Sequence, residues 1–444
     1  MKIVIAMDSF KGCLTSLEAG EAAAEGVRNM PNATVIVRPL ADGGEGTVAA
    51  LTEGVRCNAA GSVKCDAAGS GETDNADGDG TDNADGGEEA SASAAGRIER
   101  VTVTGPLGKP VECEYGIVRK SSVPGGARGG TASDDFLAVI ESSGACGLPL
   151  VPADRRNPMN TTTYGLGEVI LNAMSKGCRR FLIGLGGSAT NDGGAGMLQA
   201  LGYRLTDGNG QPIGYGAAGL MKLAAIEPPE EPAAGGQPAR SRFPEILGQC
   251  TIRVACDVTN PLCGPLGSSA VYGPQKGARA EDIPAMDEAL RRYAVKVRAL
   301  RPEADPEEPG SGAAGGLGYA FRAVLGAELL PGSQLVIEET KLEEYITGAD
   351  LVITGEGRLD AQTAMGKAPA AVAALARSHG IPVIALAGSV EADASTLRKM
   401  GLTAWYGIND RAGTDPATAI RPEVARRNMA ETAEYAVREH EDLQ

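Results

Sequence analysis

The sequence predicts an α/β fold of two or three domains. Short apolar runs alternate with amphipathic helical patterns, glycine and proline cluster at the junctions, and 444 residues exceed one ordinary domain. The composition agrees, since 43% hydrophobic and 22% charged residues exclude disordered, collagenous and membrane-spanning chains. The 62 glycines and 26 prolines point to many tight loops rather than one long helical body.

Taken in order, Ile3, Val4, Ile5, Ala6 and Met7 read as a buried strand. After a loop, Thr15 and Glu18 have the spacing of a capping box, which predicts a helix running to about Arg28. A second strand over 34–38 completes a βαβ opening. Residues 57–96 carry nine acidic residues against the single Lys64, repeat Asn-Ala-Asp-Gly and lack aromatics, so they are expected to be a disordered acidic insertion. The stretches 121–134 and 227–243, rich in small residues, glycine and proline, are expected to be surface linkers.

Leu166, Val169, Ile170, Ala173 and Met174 lie on one face of a predicted helix that stops near Gly177, ahead of a strand over 181–185. The C-terminal part repeats the alternation, with strands at 351–354, 382–386 and 403–407, helices at 363–378 and 393–400, and a last helix from 422. The two chain ends read as one doubly wound unit.

The net charge of −16 argues against a nucleic-acid partner, because phosphate binding needs a positive face. Nine cysteines without a Cys-x-x-Cys pair, and only two histidines, argue against a zinc site or a disulfide framework. Asp8 interrupts the first apolar run before a signal peptide could form, and no run is long enough for a membrane span, so a cytoplasmic protein is expected.

Four glycine-bearing loops follow apolar strands, where open parallel sheets place ligands. In the first, Asp8 could hold Mg²⁺ or orient a hydroxyl, next to Ser9, and Lys11 could neutralise an anion. The second, with Asp42, Gly43 and Gly44, lets backbone amides converge ahead of a helix begun by Thr47. The third runs from Gly184 to Gly196 and holds Gly186, Gly187, Ser188, Thr190, Asn191, Asp192, Gly193 and Gly194. Its amides could cradle phosphate, and Asp192 is a candidate base. The fourth contains Gly355, Glu356, Gly357, Arg358 and Asp360, with Arg358 and Lys367 as candidate stabilisers of a transferred phosphoryl group and Glu356 or Asp360 as metal ligands. Each also has a plain reading as a capped turn. Gly184-x-Gly186-x-x-Ala189, with Asp207 further on, fits a dinucleotide fingerprint, so an NAD-dependent oxidoreductase is one alternative. No Walker A or protein-kinase glycine loop occurs.

Together these segments resemble the type I glycerate kinase family. The resemblance rests on Met7-Asp8-Ser9-Phe10-Lys11-Gly12, on Pro39 to Thr47, on Arg156-Asn157-Pro158 with Thr161 to Gly165, and on Gly184 to Gly196. It continues through Ala255 to Leu262, Gly273-Pro274-Gln275-Lys276-Gly277, Gly312 to Gly318 and Ile353 to Asp360. The resemblance implies ATP-dependent phosphorylation of D-glycerate with Mg²⁺, the 2-phosphate being the favoured product. It also implies two α/β domains, a flavodoxin-like parallel-sheet domain formed by both chain ends (1–105 and 315–444) and a second domain inserted between them (106–314).

On that footing Asp192 is expected to be the base or hydroxyl-orienting group, Lys11 and Arg358 cationic stabilisers, and Asp8, Asp257 or Asp360 the metal ligands. The glycines at 186, 187, 193 and 194 are expected to line the phosphate path, and Lys276 to contact one of the anions. A non-catalytic sugar-acid sensor on the same fold is a further alternative, and whether the chain forms a homo-oligomer stays open.

Overall fold

A computed structural model of the chain describes residues 1–28, 30–59, 96–119, 136–229 and 243–441. The expected acidic insertion from residue 60 onward, and the linkers at 121–134 and from 230, lie outside the described residues. The strands are β1 (Lys2–Met7), β2 (Thr34–Pro39), β3 (Gly96–Thr104), β4 (Pro110–Arg119), β5 (Phe136–Glu141), β6 (Arg180–Gly184) and β7 (Arg204–Thr206). They continue as β8 (Ala225–Glu227), β9 (Thr251–Ala255), β10 (Glu328–Leu330), β11 (Leu351–Leu359), β12 (Val383–Val390) and β13 (Ala404–Gly407).

The first sheet has the order β13-β12-β11-β1-β2 and is parallel throughout. Counted within the sheet, this is the 2-1-3-4-5 order of flavodoxin-like folds, built from both ends of the chain as expected. The second sheet has the order β10-β9-β6-β5-β4-β3, with parallel pairing from β10 to β5 and an antiparallel edge of β4 and β3. The anticipated domain edges do not coincide with the change of sheet. Residue 105 falls in the turn of the β3–β4 hairpin, and β10 pairs with β9 although it follows residue 315, so the chain changes sheet before Gly96 and after Leu330.

β1 is inaccessible from Ile3 to Met7, which is why it reads as an unbroken apolar run. Ile3, Ile5 and Met7 pack with apolar residues of the helices Ser16–Arg28 and Pro422–Glu441, while Val4 and Ala6 face the other side. That second face continues, through Val48 and Leu51 of the helix Thr47–Ala59 and Leu335 and Val336 of the helix Gly332–Thr340, to Leu137, Val139, Leu182 and Ala255 of the second sheet. One apolar cluster therefore spans both sheets. The capping box forms as the spacing predicts: the Thr15 amide donates to Glu18 Oε2 (2.9 Å) and the Glu18 amide to Thr15 Oγ1 (3.2 Å).

Candidate active site

The loops after β1 and β2 of the first sheet and the C-terminal ends of β5, β6 and β9 of the second open onto one cleft of about 910 Å³. The register aligns Glu141, Gly184 and Ala255 at the edge of the second sheet. The loop after β2 crosses that edge at backbone contact. A Cβ on Gly184 would stand 2.2 Å from the Gly43 carbonyl oxygen, and one on Gly43, whose φ is +87°, would stand 2.7 Å from Gly332 Cα. Only glycine permits this approach. It places Asp42, Gly43 and Gly44 in the cleft wall beside Gly186, Gly187 and Ser188.

Of the other anticipated site residues, Lys11, Asp257 and Lys276 also line the cleft. Lys276 is 3% exposed, and its ammonium donates to Ser188 Oγ (3.0 Å) and the Thr190 carbonyl (2.7 Å). Burial pulls its pKa down to about 8, with nearby Cys146 and Asp192 acting in the opposite sense. A primary ammonium has three N–H donors, so one is left for a ligand.

Asp42 is the centre of an acidic group. Its Oδ1 accepts from the Gly44 amide (3.1 Å), and its charge raises the pKa of Asp8, Asp257 and Glu356, each already raised first by burial. For Asp8 the result is about 7. Asp8 Oδ1 accepts from the Ser9 amide (2.6 Å), Ser9 lies beside Gly46, and Asp257 Oδ1 accepts from the Gly332 amide (2.9 Å). No group of three or more His, Cys, Asp or Glu side chains is arranged to enclose a metal among the described residues.

Several anticipated residues lie elsewhere. Asp192 is 1% exposed and outside the cleft lining. Its Oδ2 accepts from the Thr163 amide, Thr163 Oγ1 and the Gly196 amide, and its Oδ1 from the Gly194 amide, at 2.9 to 3.3 Å. Both oxygens are thus engaged in fastening the loop to the start of the helix Ala195–Ala200. Gly193 and Gly194 face the core, against Tyr293 and Ala320, rather than a phosphate path. Asn191 is bonded to Ser268 and Ser269 in the interior, and the Thr190 side chain is buried.

Arg358 has 61% of its side chain exposed and pairs with Glu391 at 3.4 Å. Asp360 Oδ1 caps its own turn by accepting from the Gln362 and Thr363 amides. Gly355 packs against the Leu386 carbonyl, and Gly357 lies over the Phe10–Lys11 backbone. Glu356 accepts from Thr363 Oγ1 and stands 3.9 Å from Lys367.

The dinucleotide reading fails on topology. After β6 and the short helix Ala195–Ala200 the chain passes through β7, which pairs antiparallel with β8 in a separate sheet, and reaches β6's parallel neighbour β9 only at Thr251, so the direct strand-helix-strand crossover of a dinucleotide unit is replaced by a long excursion. Asp207 instead caps the turn at Asn209 and Gln211.

Among the cleft residues outside the sequence-based candidates, Glu141 is the one held in place by the loop after β2. Glu141 ends β5, and its Oε1 accepts from the Gly46 (3.1 Å) and Val48 (2.9 Å) amides at the start of the helix Thr47–Ala59. The signal was the one used for the other loops, an apolar run, Phe136 to Ile140, ending in Glu141-Ser142-Ser143-Gly144.

A family model described as the glycerate kinase family matches residues 3–73 and 59–441. The chain belongs to the glycerate kinase family. It is 40% identical to the glycerate kinase of Bacillus subtilis over 92% of this chain and 90% of that one. It is equally 40% identical to the glycerate 2-kinase of Escherichia coli, over 93% and 92% of the two chains. A crystal structure from Salmonella typhimurium LT2, whose protein carries a provisional glycerate kinase 2 name, superposes with a TM-score of 0.75 at 38% identity, covering 100% of this chain and 98% of that one. The chain is accordingly an enzyme of the kinase class acting on a small molecule. Among the described residues no helix is long and apolar enough to cross a membrane.

Proposed function

We propose that the enzyme transfers the γ-phosphoryl group of ATP to the 2-hydroxyl of D-glycerate, giving 2-phosphoglycerate and ADP. The observation that carries this reading is Lys276, a buried cation anchored by two hydrogen bonds in a cleft that it lines together with the glycine loops at Asp42–Gly46 and Gly186–Ser188. A small carboxylic acid needs one fixed cation, and a triphosphate needs amide donors and a second cation, for which Lys11 is placed. The 2-phosphate is supported by the name of the Escherichia coli relative. The test is ADP release with D-glycerate, L-glycerate and other hydroxy acids, followed by phosphorus NMR of the product. D-Glycerate turnover with a 2-phosphate spectrum is expected, and no turnover on any acid would sink the proposal.

The residues present fit Mg²⁺. In ATP sites it is usually bound by one or two carboxylates together with phosphate oxygens, so a large protein cage is not needed. Asp42 with Asp8, from adjacent strands, is such a donor set, and their mutual repulsion is what a divalent cation would relieve. Asp257 reaches the same group from the second sheet, whereas Asp360 is committed to its turn. The ion would neutralise charge on the transferring phosphoryl group. Lys11 and the amides of the loop would orient the nucleotide, Lys276 would hold the acid, and Asp192 would act as a positioning residue, keeping the segment that anchors Lys276.

A pH dependence follows. The Asp8 carboxyl is raised to about 7, so below that value it carries a proton that Mg²⁺ must displace. The Mg²⁺ concentration for half-maximal rate is expected to rise about tenfold per unit as pH falls below 7 and to level off above it. Asp8→Asn should flatten that profile. A wild-type requirement for Mg²⁺ that is constant from pH 5.5 to 8 would exclude Asp8 as the ligand.

A further inference from the structure

We infer that Glu141 receives, through Oε2, the hydroxyl of the three-carbon acid that is not phosphorylated, and so sets the preference for glycerate over acids lacking that group. The inference rests on the glycerate kinase reading above. Glu141 projects from the end of β5 on the same face as Leu137 and Val139, the face turned toward the helix Thr47–Ala59 and the first sheet. The Gly46 and Val48 amides hold Oε1, the Thr47 amide between them also favours the charged carboxylate, and no hydrogen bond to Oε2 within hydrogen-bond geometry occurs among the described residues. The side chain lines the cleft with Ser143 and Gly186, and no cation is among the groups that act most strongly on its charge.

A half-buried carboxylate with one oxygen anchored and the other open is a pre-oriented acceptor. Burial, and after it the Glu45 charge, raise the pKa of this carboxyl, an environment that favours a neutral donor over an anion at Oε2. An alcohol is such a donor, and a phosphate or carboxylate is not. The other acids in the wall are less suited. Glu45, Glu112 and Glu114 are exposed, Glu114 is paired with Arg100 (2.7 Å), and Asp42 and Asp257 belong to the acidic group already assigned to the metal. With Lys276 on the carboxylate and the 2-hydroxyl accepting the phosphoryl group, the remaining polar atom of glycerate is the 3-hydroxyl.

The test compares the full-length enzyme with Glu141→Gln and Glu141→Ala, measuring kcat/KM for D-glycerate and the inhibition constant of D-lactate, which keeps the carboxylate and the 2-hydroxyl and lacks the 3-hydroxyl. In both variants kcat/KM for glycerate is expected to fall about 10- to 100-fold, while the lactate constant moves by less than about twofold. Gln keeps an acceptor for the two amides, so a residue that only fastens the helix would leave the Gln variant like wild type. It would also make the Ala variant lose both ligands in parallel. Either result overturns the inference. Wild-type enzyme that makes the 3-phosphate, or fails to turn over glycerate, overturns the glycerate reading and the inference with it.

Discussion

Lys276→Met is expected to lower kcat/KM for glycerate by about two to three orders of magnitude, the usual consequence of removing one pre-oriented donor from a catalytic cleft. The ammonium is fixed by Ser188 Oγ and the Thr190 carbonyl, so its charge is pre-oriented, and Met supplies neither the charge nor the donors. Lys276→Arg should not restore the rate, because a planar guanidinium neither fits the pocket of a compact ammonium nor reproduces its two bonds. The pH profile provides a second readout. Burial holds the Lys276 pKa at about 8, below its ordinary 10.5, so wild-type activity should decline above pH 8 as the charge is lost.

Stability moves the other way for this group. Between about pH 8 and 10.5 the unfolded chain binds the proton that the folded chain has released, so the contribution of Lys276 to stability rises with pH as its contribution to catalysis falls. Retention of more than a tenth of wild-type kcat/KM in Lys276→Met would remove Lys276 from the substrate site.

Asp192→Asn should act on folding. The carboxylate satisfies four donors in a fully buried position, and an amide can turn only one oxygen toward them. With that oxygen at the Oδ2 position, which takes three of the bonds, the new NH₂ would oppose the Gly194 amide. Leaving buried donors unpaired costs about 2–4 kcal/mol here. At about 2–4 °C per kcal/mol for a domain of this size, the apparent Tm should drop by roughly 5–15 °C. The fraction that stays folded should keep kcat within about tenfold of wild type, since no oxygen of Asp192 faces the cleft. An unchanged melting curve with kcat reduced by orders of magnitude would make Asp192 the base after all. Thermal melts and initial rates on the same preparation decide between the two.

The contrast between Asp192 and Glu141 explains what sequence reading could reach. Strand positions, the capping box at Thr15 and Glu18 and the stop near Gly177 follow from local periodicity and local hydrogen bonds, so they are legible in one stretch of chain. The loop from Gly184 to Gly196 was legible as a loop of consequence, and Gly186, Gly187 and Ser188 do reach the cleft. Whether an aspartate in such a loop turns outward or inward depends on what waits inside, and the Thr163 donors lie 29 residues earlier in the chain. Arg358 misled in the same way, since its neighbour Glu391 comes from the end of β12. Glu141 obeys the strand-end rule as well, but its ending, Glu141-Ser142-Ser143-Gly144, lacks the paired glycines that mark the other loops.

The seam between the two sheets has a mechanical consequence. At Gly43, Gly184 and Gly332 the two halves meet backbone to backbone, and behind that contact a single apolar cluster runs from β1 to β9. Swinging the halves apart would expose that cluster to water, at a cost that grows with every Å² uncovered. Such a joint behaves as a weld rather than a hinge. Substrates and products are then left the exposed side of the cleft, past Lys11, Glu45 and Glu112, as their way in and out.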